Sequence, residues 1–218
     1  MLPRILALAL PLAMLVASPA MGQTQLLKDF ARQHLHLWAS PFEHPQRALK
    51  IGAPLALATG LLLRADQPVI YRYLAMPAPW AVHTSHAGDI ASLAGGALAL
   101  YGAGRLLHHE AAAQMGSDSL LALAHSSLMV QALKVAIHRQ RPDGSNHGSM
   151  PSGHAMTAFA LAGAISAHPQ APRWVKVVAP AAAGVIAFAR VGARRHYPSD
   201  VALGSTLGWL IGRAAGHR

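Results

Sequence analysis

The chain has 218 residues, 53% of them hydrophobic, and this length and apolar content indicate one compact domain and exclude a natively unfolded protein. The absence of cysteine excludes a disulfide framework, a Cys-ligated metal centre and a cysteine nucleophile. Only 8 Asp and Glu residues oppose 18 Lys and Arg residues, giving a net charge of +10. An oxygen-ligated metal site is therefore hard to build, and an anionic partner is expected, whether a phosphate ester, a lipid headgroup or nucleic acid.

The N-terminal residues have the pattern of a targeting signal. A short basic start, Met1 to Arg4, precedes an apolar run, Ile5 to Ala17, and Ala20-Met21-Gly22 offers small residues for cleavage. We therefore predict a secretory signal peptide over residues 1–22. An uncleaved membrane anchor is the alternative, although the apolar run is shorter than the about 20 residues that a membrane span needs. Both interpretations predict export from the cytoplasm.

After an amphipathic stretch over residues 23–48, the chain alternates uncharged apolar segments with turns marked by Pro and Gly, and we assign residues 49–218 to one helical domain. Most of the apolar segments are longer than a typical strand and rich in Ala and Leu, so each predicts a helix. The segments are Ile51–Leu63, Ile90–Gly104, Ser119–Leu133, Ala155–Ala171, Val177–Ala189 and Val201–Gly212. Helix-start signals precede three of them, at Ser117-Asp118, Pro151-Ser152 and Pro198-Ser199-Asp200. The pattern predicts an all-α bundle of about six helices.

Segment length allows two environments for this bundle. Segments of about 12 to 17 uncharged residues resemble the buried core helices of a soluble protein, whereas flanking cations such as Lys50 or Arg105 could extend some of them to membrane-spanning length. Because the segments carry so little charge on any face, we favour membrane association slightly over a soluble periplasmic bundle.

Two groups of residues in the C-terminal half are suited to binding an anion. Lys134 and Arg141 are seven positions apart, so on a continuous helix they would project from one face, and Pro142 would end that helix. Pro151-Ser152-Gly153-His154 then opens an apolar helix, where free backbone N–H groups bind anions and Gly153 permits close approach. Each group alone has an ordinary explanation, as a solvated helix face and as a turn with a helix cap.

A third group carries the chemistry of a nucleophile. Arg190 closes one predicted helix and His196 precedes the next, with Asp200 four residues later. The Asp200 carboxylate could accept a hydrogen bond from one imidazole nitrogen and leave the other nitrogen as a nucleophile. A lone His–Asp pair is more often structural, but that explanation would have to account for three anion-binding elements at once.

Together, Lys-x6-Arg-Pro, Pro-Ser-Gly-His and Arg-x5-His-x3-Asp resemble the signature of the type 2 phosphatidic acid phosphatase and vanadium haloperoxidase superfamily, which includes bacterial class A acid phosphatases. The motifs cover Lys134 to Asp200, and the earlier helices are similar to the family's bundle only in general character. The resemblance implies a site at the helix ends, with phosphate oxygens bound by Lys134, Arg141, Arg190, Ser152 and Gly153. It further implies His196 as the nucleophile, Asp200 as its orienting partner and His154 as the general acid.

The sequence departs from the family pattern at two places. The third motif usually reads Ser-Arg, whereas Ala189 precedes Arg190 here, so a hydroxyl donor to the phosphate is lost and turnover is expected to be lower. If this loss limits catalysis, Ala189→Ser should raise kcat/KM. In addition, only eight residues separate Pro142 from Pro151, so any loop there that grips the substrate must be small.

The resemblance predicts a phosphatase that hydrolyses phosphate monoesters through a phosphohistidine, with a lipid phosphate slightly favoured over a soluble ester. Fixed cations can stabilise the transferring phosphoryl group as Mg²⁺ does elsewhere, so we expect no metal or other cofactor. We also expect no nucleic-acid partner. The expected location is periplasmic, either soluble or at the inner membrane with the active site facing the periplasm. The alternatives are a vanadate-dependent haloperoxidase and a catalytically impaired anion-binding protein of the membrane surface.

Overall fold

The structure is a computed structural model, and it describes residues 45–73 and 78–216. The predicted signal peptide and most of the predicted amphipathic segment lie outside the described residues. The chain divides into two compact units, Met1–Ala56 and Leu57–Arg218. The described part of the first unit is the beginning of one helix, and all features discussed below belong to the second unit.

The described residues form seven α-helices and no strand. The helices are α1 (Pro45–Pro68), α2 (Pro79–Ala87), α3 (Ile90–Leu106), α4 (Glu110–Ile137), α5 (Gly153–Ala167), α6 (Val175–Gly192) and α7 (Pro198–Gly216). A single π-helical turn, Val69–Tyr73, continues α1. The all-α prediction is confirmed.

All six predicted segments are helical over most of their length, but some boundaries were wrong. The additional helix is α2, which is too short to stand out as an apolar segment. Ser117-Asp118 does not start a helix, because α4 begins at Glu110 and His109 caps it by accepting the Ala112 amide at 3.2 Å. The fourth predicted segment, Ala155–Ala171, extends four residues too far, since α5 ends at Ala167.

Helices α5 and α7 pack against each other over more of their length than any other pair. Their contact depends on glycine at every fourth position of α7, namely Gly204, Gly208, Gly212 and Gly216. A methyl group at any of these positions would collide with the α5 backbone or the residue before it, so the two backbones approach as closely as small residues allow. This contact places the beginning of α5 beside the beginning of α7, where two of the three sequence motifs lie.

Two of the described helices, α4 and α6, are long and apolar enough to cross a membrane by length and composition. One face of α6 carries large exposed apolar side chains, with Val177, Val185 and Phe188 between 55% and 68% exposed. These residues are spaced by eight and three positions and so share a helix face. A continuous exposed apolar face of this kind is typical of contact with lipid or with another protein.

Candidate active site

His196 lies in the short turn between α6 and α7 and is 1% exposed. Its backbone amide donates to the Arg190 carbonyl at 3.3 Å, which ties the turn to the end of α6. Its Nδ1 lies 2.7 Å from the backbone carbonyl oxygen of Ser149. A carbonyl oxygen can only accept, so Nδ1 carries the proton and the lone pair of the neutral imidazole is on Nε2.

Asp200 does not form the direct hydrogen bond with His196 that the spacing suggested. Its Oδ2 lies 3.9 Å from Nδ1 of His196 and instead accepts from the Ser149 hydroxyl and from the Tyr197 amide at 2.9 Å. The carboxylate therefore fixes Ser149, and the Ser149 carbonyl fixes the imidazole. Asp200 orients His196 through an intermediate residue.

Two further charged residues support this arrangement, and the sequence analysis missed both. Arg139 Nη1 donates to Asp200 Oδ1 at 2.7 Å, and Nη2 donates to Asp66 Oδ2 at 2.8 Å. Asp66 is 1% exposed and also accepts from the Ser199 amide at 3.0 Å. Asp66 belongs to α1, 73 positions before Arg139. No local motif connects these residues, so only the tertiary structure reveals the pairing.

The three motif cations, Lys134, Arg141 and Arg190, lie around His196. The prediction that Lys134 and Arg141 share one helix was wrong. Helix α4 ends at Ile137 because His138 adopts a left-handed conformation with φ 47°, so Arg141 lies in the following loop. Lys134 remains on the last turn of α4, and its Nζ is 3.9 Å from where a Cβ at Gly153 would lie. Burial, reinforced by the charges of Lys134, Arg141 and Arg190, holds the pKa of His196 well below its usual range. The imidazole is therefore neutral near pH 7, as a nucleophile requires.

Buried donors at the start of α5 and the end of α6 are available for an anion. Ser152 is fully buried and is the N-cap residue of α5, yet its hydroxyl makes no capping bond. Neither this hydroxyl nor Nε of Arg190 has a hydrogen-bond partner among the described residues. Buried polar groups are normally satisfied, so these two donors fit the binding of an oxyanion.

His154 is the second residue of α5, and its Nε2 lies 2.8 Å from Oδ1 of Asp89 at the start of α3. Burial lowers the pKa of His154 to about 4; the charge of Arg190 acts in the same direction, and Asp89 acts in the opposite direction. Asp89 was absent from the sequence prediction because it precedes Lys134, the first motif residue, by 45 positions and lies at the start of a different helix.

Ala189 is fully buried against Ala81 of α2 and Ala193. The position where the family usually has serine is thus occupied by an apolar cluster. Among the residues the structure describes, no group of three His, Asp or Glu side chains could hold a metal ion.

Comparisons with known proteins find similar sequences and a similar fold. Residues 117–217 match the PAP2 superfamily, and this range contains all three motifs. The lipid A 1-phosphatase of Porphyromonas gingivalis is 28% identical over 214 residues, which is 95% of this chain. The match covers only 47% of that relative, so this chain spans about half its length.

A solved structure has the same fold. The crystal structure of a transmembrane PAP2 type phosphatidylglycerolphosphate phosphatase from Bacillus subtilis matches with a TM-score of 0.61 at 24% identity. The match covers 74% of this chain and 92% of that one. Residues 117–217 are thus similar to the PAP2 superfamily, and the chain has the helical fold of this PAP2 type structure.

Proposed function

We propose that this protein is a metal-independent phosphatase that hydrolyses phosphate monoesters of membrane lipids through a phosphohistidine. The observation that carries the proposal is the buried, neutral imidazole of His196, held by the Ser149 carbonyl and surrounded by the three motif cations. A neutral nucleophile among fixed positive charges suits attack on a dianionic phosphate.

In the first chemical step, the Nε2 lone pair of His196 attacks phosphorus and the bond to the ester oxygen breaks. His154 gives that oxygen its proton, so the alcohol leaves neutral. In the second step His154 removes a proton from water, the water oxygen attacks phosphorus and the P–N bond breaks, which releases inorganic phosphate and restores His196. The cations and the Ser152 hydroxyl would stabilise the equatorial oxygens throughout.

Without bound substrate, His154 has its pKa lowered to about 4, so at neutral pH its imidazole is mostly unprotonated and is a poor proton donor. Binding of a phosphate dianion changes its surroundings, because the dianion offsets the charges of Arg190 and Lys134 that disfavour the imidazolium. An added negative charge raises the pKa of a nearby imidazole. The substrate thus generates the acid that its own cleavage requires.

A lipid substrate is supported by the exposed apolar face of α6 and by the two helices long enough to cross a membrane. The two similar proteins point the same way, since one is a lipid A 1-phosphatase and the other a phosphatidylglycerolphosphate phosphatase. An exposed apolar face would let the protein reside where a lipid phosphate is presented.

The test uses the full chain purified in detergent and assayed in EDTA. Phosphatidic acid and glycerol 3-phosphate present the same ester with and without acyl chains, so their kcat/KM ratio measures the lipid preference directly. We expect hydrolysis of phosphatidic acid, a higher kcat/KM for it than for glycerol 3-phosphate, and inhibition by vanadate, which mimics five-coordinate phosphorus. A phosphoenzyme formed from radiolabelled substrate should be absent from His196→Ala.

Activity that returned only with added Mg²⁺ or Zn²⁺ would overturn the metal-independent mechanism. Equal kcat/KM for the two esters would overturn the lipid preference alone. A labelled phosphoenzyme in His196→Ala would place the nucleophile elsewhere.

A further inference from the structure

Asp89 occupies the N-cap position of α3 but does not act as a cap. Aspartate is favoured at this position because its carboxylate normally accepts a backbone N–H of the first helical turn. Asp89 makes no such bond. Its Oδ1 instead lies 2.8 Å from Nε2 of His154, and its Oδ2 lies 3.4 Å from Nδ1 of His86. Helix capping therefore does not explain the aspartate at this position.

The direction of this contact determines the protonation of His154. An ionised carboxylate can only accept, so Nε2 of His154 carries a proton and donates it to Asp89. That leaves Nδ1 as the nitrogen able to exchange a proton with the substrate. In a Ser-His-Asp triad, a carboxylate holds the catalytic histidine in one tautomer. Asp89 stands in the same relation to His154, the candidate general acid.

The charges around His154 show why a carboxylate is needed there. Lys134 of α4 and Arg190 of α6 both act against a positive imidazole, and Asp89 of α3 favours it. Asp89 also contacts His86, whose side chain is 76% exposed, and its charge acts on Arg190 as well. Asp89 is thus the negative charge in contact with His154, opposed to the cations that bind phosphate.

We propose that Asp89 is the positioning residue of the general acid: it fixes the tautomer of His154 through Nε2 and stabilises the imidazolium that protonates the departing oxygen. This inference rests on the proposed phosphatase function, and it assigns to Asp89 the direct His–Asp contact that the sequence had assigned to His196 and Asp200. In this assignment Asp89 contacts neither the phosphate nor the alcohol, and it acts on proton transfer through His154.

The experiment compares Asp89→Asn with wild type on two phosphomonoesters that differ in leaving group. The asparagine keeps the shape of the side chain and loses its charge. An alkyl phosphate needs a proton on its departing oxygen, whereas p-nitrophenolate leaves almost unaided. We expect a loss of about a hundredfold in kcat on the alkyl phosphate and of less than about fivefold on p-nitrophenyl phosphate. The basic limb of the kcat profile should also move to lower pH, because the imidazolium has lost its counter-charge.

The control substitution is Glu110→Gln, which removes the charge of an exposed, ion-paired carboxylate outside the site. It should leave both substrates unaffected. A double variant, Asp89→Asn with His154→Ala, should be no slower than His154→Ala alone, since Asp89 acts only through that imidazole.

If the contact of Asp89 with His154 only held α3 against α5, these measurements would give a different result. Equal losses on both substrates, an unmoved pH limb or full additivity in the double variant would overturn the assignment. A second readout does not depend on activity: NMR titration of isotope-labelled histidine should show a lower pKa for His154 in Asp89→Asn than in wild type. If wild type hydrolyses neither ester, the proposed function fails, and the titration still decides whether Asp89 controls the protonation of His154.

Discussion

His196 donates its Nδ1 proton to the backbone carbonyl oxygen of Ser149, 2.7 Å away. A backbone carbonyl cannot be removed by substitution at its own side chain, and it keeps Nδ1–H in place whatever happens to the Ser149 hydroxyl. The Asp200 carboxylate, 3.9 Å from the same nitrogen, acts on the imidazole by holding Ser149. The proposed nucleophile is thus oriented by the main-chain carbonyl of Ser149, and Ser149 is itself held by the Asp200 carboxylate.

This relationship predicts a graded response to substitution. His196→Ala should lose at least about a thousandfold in kcat, since it removes the proposed nucleophile. Asp200→Asn should lose less than His196→Ala, and Ser149→Ala should lose less than about tenfold because the carbonyl remains. Steady-state kinetics on a phosphomonoester would measure the order. A Ser149→Ala enzyme as impaired as His196→Ala would contradict it.

Arg139 should matter most for stability. It pairs with Asp66 and Asp200, whose side chains are 1% and 0% exposed, so Arg139→Ala would leave two buried carboxylates without their cation. Breaking a buried ion pair costs about 3–5 kcal/mol, and we expect the free energy of unfolding to fall by that amount. Thermal unfolding followed by circular dichroism would measure it. The control is Arg105→Ala, which breaks an exposed pair with Glu110 and should cost about 0–1 kcal/mol. Equal costs for the two substitutions would exclude the buried network as a source of stability.

The pH dependence should differ between kcat/KM and kcat. On the basic side, kcat/KM follows His154 in the free enzyme, where its pKa is lowered to about 4, and activity is lost as pH rises through that value because the acid loses its proton. A bound dianion raises this pKa, so the basic limb of kcat should lie at higher pH. The substrate's own second ionisation, near pH 6, is titrated separately as the control. Coincident limbs would mean that the bound phosphate does not act on His154.

The close contact of α5 and α7 gives a packing prediction. A methyl group at Gly208 would collide with backbone atoms of Met156, and these cannot move aside as the end of a flexible side chain can. Gly208→Ala should therefore lower the free energy of unfolding by about 1–3 kcal/mol, despite the better helix propensity of alanine. Gly184→Ala on α6 meets nothing within 4 Å and should be neutral or stabilising. Thermal unfolding of the two variants, compared directly, separates packing from propensity.

The sequence predicted the six long helices because uncharged segments rich in Ala and Leu are a local signal. It placed the residues of three motifs near one another, since each motif lies at a predicted helix end. It missed Asp66, Arg139 and Asp89, whose oppositely charged partners in the site are 61 or more positions away along the chain. It also assigned the histidine–carboxylate contact by spacing, whereas the fold turned the Asp200 carboxylate toward Ser149 and Arg139. Pairings set by helix packing leave no periodic or short-range trace in a single sequence.

Ala189 provides a last test, because the structure changes the expected effect of Ala189→Ser on kcat/KM from a rise to no change. From the sequence, Ala189→Ser restores a phosphate donor and raises kcat/KM. In the fold, Ala189 has no exposed surface and packs with Ala81 and Ala193, so a serine hydroxyl would be placed in an apolar cluster. Burial of a hydroxyl without a good partner costs about 1–3 kcal/mol, unless it turns to a carbonyl of its own helix.

We therefore expect Ala189→Ser to lower the unfolding temperature slightly and to leave kcat/KM unchanged within about twofold on both lipid and soluble phosphate esters. Paired kinetic and thermal measurements on the single variant are sufficient, with Ala183→Ser as a control because Ala183 is a comparably buried alanine of α6 outside the motif. A rise of about tenfold in kcat/KM on every ester, with no change for Ala183→Ser, would show that the hydroxyl reaches the phosphate after all. In that case the apolar cluster opens when substrate binds, and the missing serine limits catalysis.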